Sequence, residues 1–216
     1  MENDFPGPGL EPIAVLGRMP SSRDIMRQTW DGLSGRWLPL MGALWVAIIC
    51  QGALGRIPTL GPILSLLLAG PMYVGITAFT LGIERREPPD WEKLLEGFER
   101  IARNILAFLL LVFWVVLGTL LLIVPGILWM LSYSQVFFIL AEEPDLTASQ
   151  ALRKSRDMMR GHRMELVVLH CWQFLLALLS VFTLCIGLIW LVPFFYACWA
   201  RFYSELKKMP VLSQPA

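Results

Sequence analysis

Charge is what this sequence has least of. Only 16% of its 216 residues are Asp, Glu, Lys or Arg, against about 25% in a typical soluble domain. The charges are also clustered. Nineteen uncharged residues separate Arg36 from Arg56, 27 separate Arg56 from Glu84, 38 separate Arg103 from Glu142 and 35 separate Glu165 from Arg201. A helix crossing a bilayer needs about 20 mostly apolar residues, so these runs exclude an ordinary soluble core and point to a polytopic membrane protein.

Other absences narrow the chemistry. The net charge of +1 supplies no field that would gather nucleic acid or acidic partners, so no nucleic-acid partner is expected. There are two histidines, and the four cysteines, Cys50, Cys171, Cys185 and Cys198, form no CxxC pair. A disulfide framework is not indicated, and these thiols read as small packing residues. Gly-rich phosphate loops, GxSxG elbows and HExxH motifs are missing. Neither metal nor other cofactor is expected, nor an enzyme. The opening "MENDFPGPGLEPIAVLGRMP" has no basic segment followed by an apolar one and so does not read as a secretory signal. It is taken as a flexible leader over residues 1–20.

What is present is apolar sequence punctuated by glycine and proline. The first two spans read as Trp37–Ala53 and about Ile63–Ile83, joined by "LGRIPTLGP". In the 38-residue run, Pro125-Gly126 is the natural turn, leaving Asn104–Val124 and a short fourth span, Ile127–Ala141. In the last run the turn falls near "LCIG". The expected fold is therefore an all-α membrane protein of six transmembrane helices arranged as three hairpins, over residues 21–208, with a tail at 209–216.

Topology follows from basic residues, which stay cytoplasmic in short loops. Seventeen of the 18 Lys and Arg residues, all but Arg56, fall on the side that holds both termini, as do all 17 acidic residues. Both termini are expected to be cytoplasmic, in a bacterial inner membrane.

Each hairpin is preceded by a segment of helical periodicity, giving a threefold internal repeat over about 21–87, 88–143 and 144–208. "SSRDIMRQTWDGLSGRW" places Met26, Trp30, Leu33 and Trp37 on one face, capped by Ser21 or Ser22. "PPDWEKLLEGFERIARNI" aligns Trp91, Leu94, Leu95, Phe98, Ile101, Ala102 and Ile105, capped by Asp90. "TASQALRKSRDMMRGHR" aligns Ala148, Ala151, Leu152, Ser155, Met159 and His162, with Thr147 and Gln150 spaced as a capping box. These read as cytoplasmic amphipathic helices, entering their spans through Arg36, Arg103 and Arg163.

Two sets of residues are candidates for contact with other molecules. Arg153, Lys154, Arg156, Arg160, His162 and Arg163 could anchor the third amphipathic helix, or meet anionic lipid headgroups or a protein partner. Within the spans, Gln51, Ser132, Tyr133, Ser134, Gln135, His170 and Gln173 suit hydrogen bonding between helices, or the lining of a ligand cavity. No Asp, Glu, Lys or Arg lies in a span away from its ends, which counts against a proton-driven pump. Pro71 and Pro193 each stand inside the second helix of a hairpin, where they could kink it, and Trp30, Trp37 and Trp91 suit a membrane interface.

From about Gly70 to Tyr203 the chain resembles bacterial integral-membrane proteins grouped as domain of unknown function nine-seven-five, related to the membrane domain beside some glycerophosphodiester phosphodiesterases. The likeness rests on "GPMYVG", "LLEGFERI", "LLIVPGI", "SRDMMRGHR" and "LIWLVPFFYACWARFY", with Ser155, Met159, Gly161 and His162 its most specific element. Phe194 departs from the tyrosine usual after the proline of the last span. The resemblance implies a six-span helical protein and no established reaction; the phosphodiesterase's acidic and histidine cluster is missing. The functional expectation is an accessory or scaffold subunit, with a membrane-protein partner or a homo-oligomer. The alternative is a binder or transporter of lipids or other amphiphiles.

Overall fold

The computed structural model describes residues 19–121, 123–181 and 186–209. The expected leader up to residue 18, Cys185 with the turn around it, and the tail from residue 210 lie outside the described residues. Ten helices and no strand occur among them.

The first apolar run forms α2 (Trp37–Gly55) and α3 (Gly61–Glu84), each within two residues of expectation. The second forms α5 (Ile101–Leu121), α6 (Ile123–Tyr133) and α7 (Val136–Glu142). The third forms α9 (Arg163–Val181) and α10 (Ile186–Lys208). Before them stand α1 (Ser22–Gly32), α4 (Lys93–Glu99) and α8 (Ala148–Met158). Four helices, α2, α3, α5 and α9, are long and apolar enough to cross a membrane.

Helix α3 is the hub, in contact with α2, α4, α5, α7 and α10. Of its apolar window 72% is buried in protein, whereas α2, α5 and α9 bury only 17%, 17% and 22%. Glycines allow the closest crossing. A Cβ on Gly97 of α4 would collide with the carbonyl oxygen of Pro71, and one on Gly75 of α3 with that of Leu94. Asn104, fully buried, spans the same contact and donates Nδ2–H to the Gly97 carbonyl at 2.6 Å.

Several expectations need correction here. Pro125-Gly126 is not the turn. Helix α5 ends at Leu121 and α6 begins at Ile123, so Pro125 falls in the first turn of α6, where backbone N–H groups lack helical partners in any case. The fourth apolar segment is two helices, broken at Ser134 and Gln135. The segment before α5 packs Leu94 against the core but turns its other large apolar side chains outward. Trp91, Leu95, Phe98 and Ile101 are exposed, because the close approach to α3 requires the Gly97 face instead. In α1 the buried stripe is Ile25, Thr29 and Leu33, while Trp30 is 58% exposed. Cys198 is a core residue, but Cys50 and Cys171 lie on outward surfaces.

The outer units correspond closely. Helices α1 and α8 are both 11 residues long, and both lead to helices of 19 residues, α2 and α9. Their N-caps are Ser21 and Thr147, the latter in the expected capping box. Between each pair of helices lies a turn through a glycine of positive φ, Gly35 at 78° and Gly161 at 86°, a region costly for residues with a Cβ. The middle unit differs, since α4 has seven residues and only Arg100 separates it from α5.

Candidate functional site

A helix break leaves backbone groups without partners, and the break between α6 and α7 is closed by α8. Ser155 Oγ donates to the Ser132 carbonyl at 2.8 Å and accepts the Gln135 N–H at 3.3 Å. Ser134 Oγ donates to the Leu131 carbonyl at 2.8 Å and accepts from Gln135 Nε2 at 2.9 Å. Gln135 is 2% exposed, and its Oε1 has no partner among the described residues. Tyr133, also buried, packs into the apolar cluster formed by α3, α5, α7, α8 and α10. Ser134 and Gln135 thus meet Ser155 at one backbone defect, whereas the Ser132 hydroxyl bonds back to the Leu128 carbonyl.

The others stand apart. His170 Nδ1 lies 2.8 Å from the Leu166 carbonyl, which makes it the protonated ring nitrogen, and the ring stacks on Trp199. Gln173 Oε1 accepts from Trp199 Nε1 at 3.0 Å. Gln51 Nε2 donates to the Ser65 carbonyl at 2.6 Å, near the turn of the first hairpin.

On α8, Ala148, Ala151, Leu152 and Ser155 are buried, and so is Met159 just beyond it. Of the basic candidates, Lys154 pairs with Glu143, Arg160 with Asp157 at 3.4 Å, and His162 lies 3.9 Å from Glu165. Arg163 is half-buried at the start of α9. Arg153 and Arg156 are exposed and face no carboxylate among the described residues.

The ionic centre of the charged end lies elsewhere, in two carboxylates the sequence reading did not single out. Glu142, its side chain 11% exposed, pairs with Arg85 and accepts from Tyr203 Oη and Lys207 Nζ, each at 2.7 Å. Glu84 accepts from Arg201 at 3.2 Å and Ser204 at 3.0 Å, and Arg201 also reaches Gln28 of α1 at 2.9 Å. These contacts tie the ends of α1, α3, α7 and α10 together. The signal was present in "LGIE" and "ILAE", where an acid ends an apolar run and must find donors nearby. On α4, burial raises the Glu96 carboxyl above its ordinary range, partly offset by Lys93.

A cavity of about 520 Å³ lies between α2, α3, α5 and α10. Its polar groups are Gln51, Ser65, Tyr73 and Tyr196, among apolar walls that include Ile48 and Phe108. Tyr73 stacks against Phe137 and Phe108 with ring centroids at 5.3 and 6.2 Å. No cluster of three or more His, Cys, Asp or Glu residues suited to a metal occurs among the described residues.

The described residues form helices and the segments joining them, and include four helices long and apolar enough to cross a membrane, which suits a membrane protein. The family model described as Protein of unknown function (DUF975) matches residues 100–210, and the chain belongs to that family. The match takes in α5 to α10 but not "GPMYVG". No curated protein and no solved structure matches the chain.

Proposed function

We propose that the protein is a non-enzymatic, six-span component of the bacterial inner membrane, with both termini cytoplasmic, acting as an accessory or scaffold subunit of a membrane assembly. In this reading α6 and α7 together make a broken fourth span and α10 the sixth. The chain consists of three units, each a cytoplasmic amphipathic helix followed by a hairpin. Kinship to the membrane domain beside some glycerophosphodiester phosphodiesterases belongs to the same proposal.

The observation that carries the scaffold role is the use made of the buried charge. Glu84 and Glu142 are spent on fastening helix ends, which suits a rigid bundle, while α2, α5 and α9 turn most of their apolar surface outward, available to lipid or partner helices. Purification of the full chain in mild detergent is expected to retain a stoichiometric membrane-protein partner. Repeated recovery of a bare monomer would overturn the proposal.

A second reading, the binding or transport of lipids or other amphiphiles, is favoured by the exposed Arg153 and Arg156, which pair with no carboxylate among the described residues. Each cation near an anionic leaflet gains about 1 kcal/mol. Replacing Arg153, Arg156, Arg160 and Arg163 together by glutamine is then expected to reduce retention of phosphatidylglycerol, and unchanged retention counts against this reading.

A further inference from the structure

The cavity between α2, α3, α5 and α10 contains two phenol groups that have nothing to bond to. Neither the Tyr73 nor the Tyr196 hydroxyl forms a hydrogen bond among the described residues, although both line the cavity. Tyr73 is itself 39% exposed, so it is not sealed inside the protein. Tyrosine hydroxyls away from water normally find a partner, and hydrocarbon supplies none.

Depth restricts the occupant. Tyr73 is twelve residues from the start of α3 at Gly61 and eleven from its end at Glu84, so it stands at the middle of a membrane-length helix. Ser65, at the other end of the cavity, is eight residues away, about 12 Å along the axis. Gln51 Nε2 already donates to the Ser65 carbonyl and Ser65 Oγ to that of Pro62, so the two phenols are the hydroxyl groups of the cavity left without an acceptor. No Asp, Glu, Lys or Arg lines the cavity. A headgroup-anchored phospholipid holds its ester carbonyls near the interface, not at mid-height.

We infer that this cavity binds an uncharged, lipid-soluble carbonyl compound, whose carbonyl oxygen accepts from Tyr73 and Tyr196 while its apolar body fills the space toward Ile48 and Ser65. Prenyl quinones and neutral acylglycerols share this chemistry. Phe108, which lines the cavity and stacks on Tyr73, would flank the carbonyl group. A cavity of this size is within the range of ordinary ligand sites.

The inference rests on the membrane placement and the lipid-binding reading, but not on the basic face of α8, so the two can fail separately. The test uses the full chain in nanodiscs of phosphatidylethanolamine and phosphatidylglycerol, incubated with a decyl benzoquinone or with dioleoylglycerol and released for native mass spectrometry. Retention of one probe identifies the source of the carbonyl. The double variant Tyr73→Phe/Tyr196→Phe keeps the rings and should lower that retention by about fivefold or more, the equivalent of one ordinary hydrogen bond. Gly52→Leu is the independent variant. Gly52 lines the cavity and has open space at its Cβ position, so leucine fills the site without a backbone clash and should abolish retention, even if the double variant fails to fold. Retention of neither probe by the parent protein, or equal retention by parent and Gly52→Leu, overturns the inference.

Discussion

Ser155 on α8 stands 2.8 Å from the carbonyl oxygen of Ser132 on α6 and donates to it. The same hydroxyl accepts the N–H of Gln135, so one side chain from outside the apolar run closes a break within it. The basic stretch around Ser155 is therefore fastened to the bundle by its buried face, and its exposed arginines are carried on a helix whose position is tied to the state of the break.

Ser155→Ala should destabilise the protein by about 1–3 kcal/mol, the usual cost of leaving buried backbone partners unsatisfied. The thermal unfolding midpoint in detergent measures this. A variant as stable as the parent would mean that the break does not depend on α8.

The crossing of α3 and α4 predicts a sharp contrast among glycines. Gly97→Ala places a methyl group against the Pro71 carbonyl, and Gly75→Ala against that of Leu94. Neither backbone can give way cheaply, so little monodisperse protein should survive size-exclusion chromatography. Gly52→Ala, with nothing within 4 Å of its Cβ, should elute like the parent.

At the charged end, Glu142→Gln should cost about 1–3 kcal/mol, because Arg85, Lys207 and Tyr203 all converge on a carboxylate with little solvent. Asp145→Asn is the comparison. Asp145 pairs with Arg100 at 3.0 Å, but its side chain is 92% exposed, and its loss should cost less than about 1 kcal/mol. Equal losses in a chemical or thermal melt would show that burial of Glu142 is not what gives its pairs their strength.

Gly161 has φ of 86° in the turn from α8 to α9. Gly161→Ala should lower stability by about 1–2 kcal/mol through left-handed backbone strain, and Gly35→Ala should match it in the turn from α1 to α2. A neutral effect at either site would mean that the turn can relax to negative φ.

Much of the architecture was legible in the chain because the signals were local. Span length depends on hydrophobicity summed over consecutive residues, and α2 and α3 begin and end within two residues of the reading from composition. The face of α8 was also legible, since Ala148, Ala151, Leu152, Ser155 and Met159 follow helical spacing and are all buried. The packing of α4 was not legible in this way. Its large apolar residues are spaced for a helix face, but that face points outward, because the neighbour it meets is a glycine-lined helix that only a glycine can approach. Pro125 misled for a related reason: proline breaks a helix interior but fits its first turn.

The sequence by itself determined the class of protein, the helical content, and the segregation of charge from apolar runs, all set by the transfer energies of neighbouring residues. Tertiary structure alone decided what the polar groups are for. Glu142 meets Tyr203 61 positions away, Ser155 reaches back 23 residues to Ser132, and Tyr73 comes to share a cavity with Tyr196. Such pairings are made by the crossing of helices, and no periodicity along one helix encodes which distant donor or acceptor will lie across from it.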